Sequence, residues 1–219
     1  MSLESILASK EKGNSPHAFL SPSKYTWVYK EADDLVKNYV NSWGPIIGTR
    51  LHEIAANLIK DKIKLSKNDK KIVYFELLHS QYMIPRSVVD GIDLELIFEN
   101  LRTYVNDAIG FGMTPEETLY YSDNCFGTSD AISTIDNILR IHDLKTGETK
   151  AHMEQLQIYA ALYCLMHRRK PSSFKSIELA IYQHNDILHI TAQPDEIKEI
   201  MDKIVEADKE LNNFIQRGK

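Results

Sequence analysis

Apolar positions along this chain keep a helical period to about residue 110 and alternate between strand and helix periods beyond it, which divides it into a helical first half and a mixed second half. Residues 1–20 carry no clear period and read as a loose polar arm. Trp27, Leu35, Val36 and Tyr39 suit one or two short helices with Ser23 as cap. From Gly48 the pattern tightens: Leu51, Ala55, Leu58 and Ile59 recur at helical spacing, and His52 shares the face of Ala55, Ala56 and Ile59. Residues 72–84 have the composition of a strand, but Ile72, Phe75, Leu78 and Tyr82 fall at helical spacing, and a helix is expected. Beyond Pro85, residues 89–109 predict a long amphipathic helix ending near Gly110 and Gly112.

After Thr114 and Pro115 the period shortens to two. The runs ETLYYS, FGTSDAIST and NILRIHDLKT predict three strands, and their short gaps make them antiparallel neighbours. A rich apolar helix follows the Thr146-Gly147 turn, from about residue 151 to 167. SIELAIYQ and ILHITAQ then flank His184-Asn185-Asp186 as a hairpin, and Pro194 opens a last amphipathic helix with Gly218 beyond its end. The expected fold is α/β: a mixed central sheet flanked by helices, with a helical N-terminal half, in a single domain over residues 1–219.

With 219 residues and 43% hydrophobic content, the chain supports one well-buried core. No apolar run approaches the roughly 20 residues needed to span a bilayer, and the polar start lacks a signal-peptide core. A cytoplasmic protein is expected, with no membrane partner. Cys125 and Cys164 lie outside any CxxC spacing, which leaves two reduced thiols and excludes a four-thiolate site. A net charge of −5 argues against a surface that coats nucleic acid throughout. Local basic runs persist around Lys60, Lys62, Lys64, Lys67, Lys70 and Lys71 and at His167–Lys170; their ordinary reading is a solvated helix end.

The chemistry concentrates in four segments. Asp143 and Lys145 alternate on one strand, so both project to one face while Leu144 turns to the other. Asp130 lies on the preceding strand and His52 on the inward face of an early helix. Two carboxylates, one imidazole and the carbonyl of Leu144 make a ligand set for magnesium or manganese, and Lys145 is suited to orient water and stabilise developing phosphoryl charge. Gln155 and Tyr159, four residues apart, share a helix face aimed back at the sheet. Taken one at a time, these residues read as a core histidine, an edge-strand ion pair and a core-rim pair.

In order, GTRLH (48–52), GTSD (127–130), HDLKTG (142–147) and QLQIY (155–159) resemble the motifs of the PD-(D/E)XK nuclease superfamily, in its RecB-like exonuclease branch. The resemblance implies a restriction-endonuclease-like core, His52, Asp130 and Asp143 as metal ligands, Lys145 as catalytic lysine, and Gln155 and Tyr159 positioning the substrate or the lysine. It implies an Mg2+- or Mn2+-dependent exonuclease on linear DNA, serving recombination, repair or end processing. Neither the four cysteines of cluster-bearing branches nor a GxxxxGK[ST] helicase motif occurs, so the chain looks like a stand-alone, phage-type exonuclease. Such enzymes work with recombination or single-strand annealing partners and often form homo-oligomeric rings. A phage-encoded protein of this kind acts in the host cytoplasm. Arg50, Lys60, Lys62 and Lys64 are candidate phosphate contacts. The competing readings are a catalytically silent DNA-binding or scaffolding protein on the same fold, and a metal-dependent hydrolase of another phosphoester.

Overall fold

A computed structural model describes residues 18–147 and 151–217. The expected arm lies outside the described residues as far as residue 17, as does Gly218. The chain divides into two compact units, Met1–Trp43 and Gly44–Lys219. In the first, a 3-10 helix over Pro22–Tyr29 precedes helix α1 (Ala32–Ser42). Ser21 rather than Ser23 takes the cap position, because Pro22 sets the first helical residue. Phe19 and Tyr39 meet edge to face at 5.3 Å.

The second unit holds helices α2 (Gly44–Lys60), α3 (Lys70–Leu78), α4 (Arg86–Val89) and α5 (Leu94–Gly110). Strands β1 (Thr114–Ser122), β2 (Cys125–Ile135) and β3 (Ile138–Leu144) follow. Then come helix α6 (Glu154–Met166), strands β4 (Ser176–Gln183) and β5 (Asp186–Thr191), and helix α7 (Pro194–Arg217). The α/β class and the mixed sheet agree with the sequence reading. α5 starts at Leu94 and not at residue 89: Asp93 accepts a hydrogen bond from the Leu96 N–H at 3.0 Å and caps the helix there. α3 stops at Leu78, four residues past Tyr74, and the chain turns through 79–85 to Pro85.

The sheet runs β1-β2-β3-β4-β5. β1 to β3 form an antiparallel meander, β3 and β4 pair in parallel, and β5 returns antiparallel to β4. The parallel pair requires a crossover, which α6 supplies. Two tight turns bring chain-neighbour strands together: Asp136-Asn137 (φ +54° and +61°) and His184-Asn185 (φ +52° and +61°). Both residues of each turn are left-handed, the geometry that matches strand twist. α6 lays Leu156, Ala160 and Ala161 on a core shared with Ile132, Leu139, Ile141 and Leu179 from β2, β3 and β4. That face is the one Asp143 occupies further along β3, since odd-numbered β3 residues share it. The opposite face carries His142 and Tyr182 beside α5, where the Tyr182 hydroxyl donates to Asp107 Oδ2 at 2.9 Å and lies 3.3 Å from His142 Nδ1. No described helix is long and apolar enough to cross a membrane. Both cysteines are free thiols, Cys164 buried and Cys125 partly so.

Candidate metal centre

The site begins where two strands part. The β2–β3 ladder has its last pair at Ala131 and His142, while β3 continues along β4 to Leu144 opposite Tyr182. Past the fork a side chain takes over the role of the ladder: the Leu144 N–H donates to Asp130 Oδ2 at 2.9 Å. The same oxygen lies 3.3 Å from His52 Nδ1, so Asp130 joins the α2 helix to the end of β3.

β1 adds a third acid. Pro115 pairs with Ala131 and Glu117 with Ser129, which sets Glu116 opposite Asp130. Glu116 has φ +53°, a left-handed backbone for a non-glycine residue within a strand. His52, Glu116 and Asp130 each bring a donor atom into a group whose members all lie within 4.8 Å of one another.

Asp143 faces the lysine. Lys145 Nζ is 3.2 Å from Asp143 Oδ1 and 2.9 Å from Oδ2, and it donates to Gln155 Oε1 at 3.0 Å. Gln155 Nε2 in turn donates to the Tyr159 hydroxyl at 3.4 Å. The Asp143 side chain is only 4% exposed, and its Oδ2, although close to the ammonium, has no hydrogen-bond partner.

Electrostatics follow from this crowding. Burial, then the charge of Asp130, raises the Asp143 carboxyl above the usual carboxylate range, against the pull of Lys145 and His52. Burial and the same Asp130 charge raise Glu116. Burial draws the His52 imidazole downward, yet the bond to Asp130 and the charges of Asp130, Asp143 and Glu116 outweigh it and leave His52 above its ordinary value. Burial leads for the two acids and the Asp130 charge adds to it, whereas on His52 the surrounding negative charge prevails over burial.

Two motif glycines make room for the site. A Cβ on Gly48 would sit 2.8 Å from Thr146 Oγ1, and one on Gly127 would sit 2.9 Å from Tyr159 Cε1. The first lets α2 approach the turn after Lys145; the second lets the Tyr159 ring lie on β2.

Asn100 is a further support. Buried on α5, it donates from Nδ2 to the carbonyls of Lys145 at 3.1 Å and Tyr182 at 3.2 Å. Two carbonyl acceptors require the NH2 end there, which fixes the amide's orientation. The Lys145 N–H also donates to the Tyr182 carbonyl at 2.9 Å, so the residue after β3 stays tied to β4.

The candidate phosphate contacts divide. Arg50 is engaged by Glu53 at 2.9 Å and Glu76 at 2.5 Å, its side chain 18% exposed. Lys60, Lys62 and Lys64 are exposed, and Lys60 lies about 12 Å further along α2 than His52.

A family model described as "Protein of unknown function (DUF2800)" matches residues 17–215. The chain belongs to the DUF2800 family. All four motif segments of this DUF2800 chain, Glu116 and Asn100 fall within the matched span. Reading motifs along the sequence missed Glu116, because its place opposite Asp130 is a matter of strand register. Asn100 did leave a trace: it is a polar residue in line with Ile97, Leu101, Tyr104 and Ala108, the inward stripe of α5.

Proposed function

We propose that this protein is a metal-dependent deoxyribonuclease, an exonuclease that hydrolyses phosphodiester bonds of linear DNA during recombination, repair or end processing in the cytoplasm. The observation that carries the reading is the Lys145 ammonium, held by Asp143 and Gln155 at the fork where Asp130 and His52 also converge. Residues 48–159, with the motif order described above, support the same assignment.

The residues suit a divalent cation. Oxygen donors with one imidazole match Mg2+ or Mn2+, and Asp130 and Asp143 together carry more negative charge than the Lys145 ammonium beside Asp143 balances. His52, Asp130, Asp143 and the Leu144 carbonyl would hold it. When bound, such an ion supplies Lewis-acid polarisation of the phosphoryl oxygen and a lower pKa for the attacking water.

The chain's own groups do the rest. Gln155 and Asp143 hold the Lys145 Nζ toward the same space, so its positive charge stabilises the phosphoryl oxygens as negative charge builds on them. Tyr159 fixes Gln155 through its hydroxyl, and the cost of holding a long lysine side chain in one rotamer is met before substrate arrives. DNA is the partner implied, with the exposed lysines after residue 59 available to its phosphates.

End-labelled linear and closed circular DNA, incubated with Mn2+, Mg2+ or chelator, tests the proposal. Linear DNA should be degraded only with metal, and Lys145→Ala and Asp143→Ala should each lower the rate at least about 100-fold while the protein stays folded. Absence of cleavage in both metals, or variants as active as the parent, refutes it. Cutting of the closed circle makes the enzyme an endonuclease.

A further inference from the structure

We infer that Glu116 is a ligand of the divalent cation, joining His52 and Asp130 in a set that the four sequence motifs do not define. The inference rests on the proposed metal-dependent reading of this site.

Three observations carry it. The donor atoms of His52, Glu116 and Asp130 already lie within 4.8 Å of one another, the spacing of groups that share one small ion. The set is mixed, one nitrogen and two carboxylates, and it is drawn from a helix and two strands. Beside the set lies Asp143, buried and paired with the Lys145 ammonium at 2.9 Å, so three carboxylates share the fork with one lysine and one imidazole. Acids directly opposite each other on paired strands repel, so Glu116 against Asp130 is a cost in the free protein that a shared cation removes.

The backbone points the same way. Left-handed φ costs a non-glycine residue on the order of 1 kcal/mol, and glycine would adopt +53° freely. A glutamate at this position brings a carboxylate to the fork, which glycine does not. The imidazole nitrogen in the set favours Mn2+ over Mg2+, because magnesium is the harder ion, prefers oxygen donors and gives up its water reluctantly.

Calorimetric titration of Mn2+ into the full chain distinguishes this role from a structural one. Glu116→Gln and Glu116→Gly should each weaken Mn2+ affinity at least about tenfold, the loss seen when even outer-shell supports of a metal are removed. Glu117→Gln, one residue along, should bind Mn2+ as the parent does. In chelator, Glu116→Gly should unfold at or above the parent's midpoint, since it removes both the repulsion and the left-handed penalty. Parental affinity within about twofold in both Glu116 variants overturns the inference; so does an equal loss in Glu117→Gln, or no Mn2+ binding by the parent.

The two proposals fail separately. Mn2+ binding that depends on Glu116, without DNA cleavage, leaves this inference standing and removes the nuclease. Cleavage with Mn2+ affinity indifferent to Glu116 does the reverse.

Discussion

Replacing Asn100 by alanine should destabilise the protein by about 2–4 kcal/mol, although the residue touches neither Lys145's ammonium nor any acid of the site. Two hydrogen bonds are lost, to the Lys145 and Tyr182 carbonyls, each worth about 0.5–1.5 kcal/mol net. Tyr182 keeps the Lys145 N–H as a donor, whereas the Lys145 carbonyl is left short at a cost of about 1–3 kcal/mol. Asn100 also lines a cavity of about 220 Å3 with Glu99, Thr103, Tyr182, Asn185, Asp186 and Ile187. Water entering from that side offsets part of the loss, which is why the range stops near 4 kcal/mol. For a chain of this size the unfolding midpoint should fall by about 5–15 °C.

Asn100→Asp sharpens the test. It keeps the volume but turns a carboxylate toward two carbonyl oxygens, so its folded pKa is raised. A raised carboxyl destabilises only where it must ionise: the penalty is absent below the ordinary value of about 3.9 and grows as pH rises toward the folded value. Urea unfolding followed by circular dichroism from pH 4 to 8 measures both variants. Asn100→Ala within about 0.5 kcal/mol of the parent, or an Asn100→Asp deficit independent of pH, refutes the account of how the end of β3 is held.

His142, buried beside Tyr182 and pushed down to about 4 by burial first and by His189 and Arg140 next, supplies an acid-stability prediction. Its neutral form belongs to the folded state, so stability present above about 6.5 should fall by about 3 kcal/mol as pH drops to 4, with the imidazole titrating near 4 by NMR. Gly127→Ala should force the Tyr159 ring off β2 at a cost of about 1–3 kcal/mol, and the loss should disappear when Tyr159→Ala is added. Equal losses with and without Tyr159 would remove the glycine's assigned role.

Much of the fold was legible because it is written locally. The apolar stripe of α2, the period-two runs of β1 to β3 and the Pro194 start of α7 each depend on about ten neighbouring residues. Element ends were less legible where a single side chain decides them: Asp93 begins α5 later than its apolar pattern suggests. The chemical residues stood out by type and order, since Asp143 and Lys145 alternate and Gln155 and Tyr159 are one helical turn apart.

Tertiary structure decided how those residues meet. No local pattern reports that β2 is parted from β3 before Ala131, that Asp130 there takes the Leu144 N–H, or that β1 register brings Glu116 opposite Asp130. Arg50 likewise looked available until α3 packed Glu76 against it. The sequence by itself determined the helices, the strands and the identity of the groups able to do chemistry, because period and side-chain type are short-range properties. Which charges are shared, buried or left without a partner was decided by contacts between residues far apart in the chain, and those exist only once the sheet has closed.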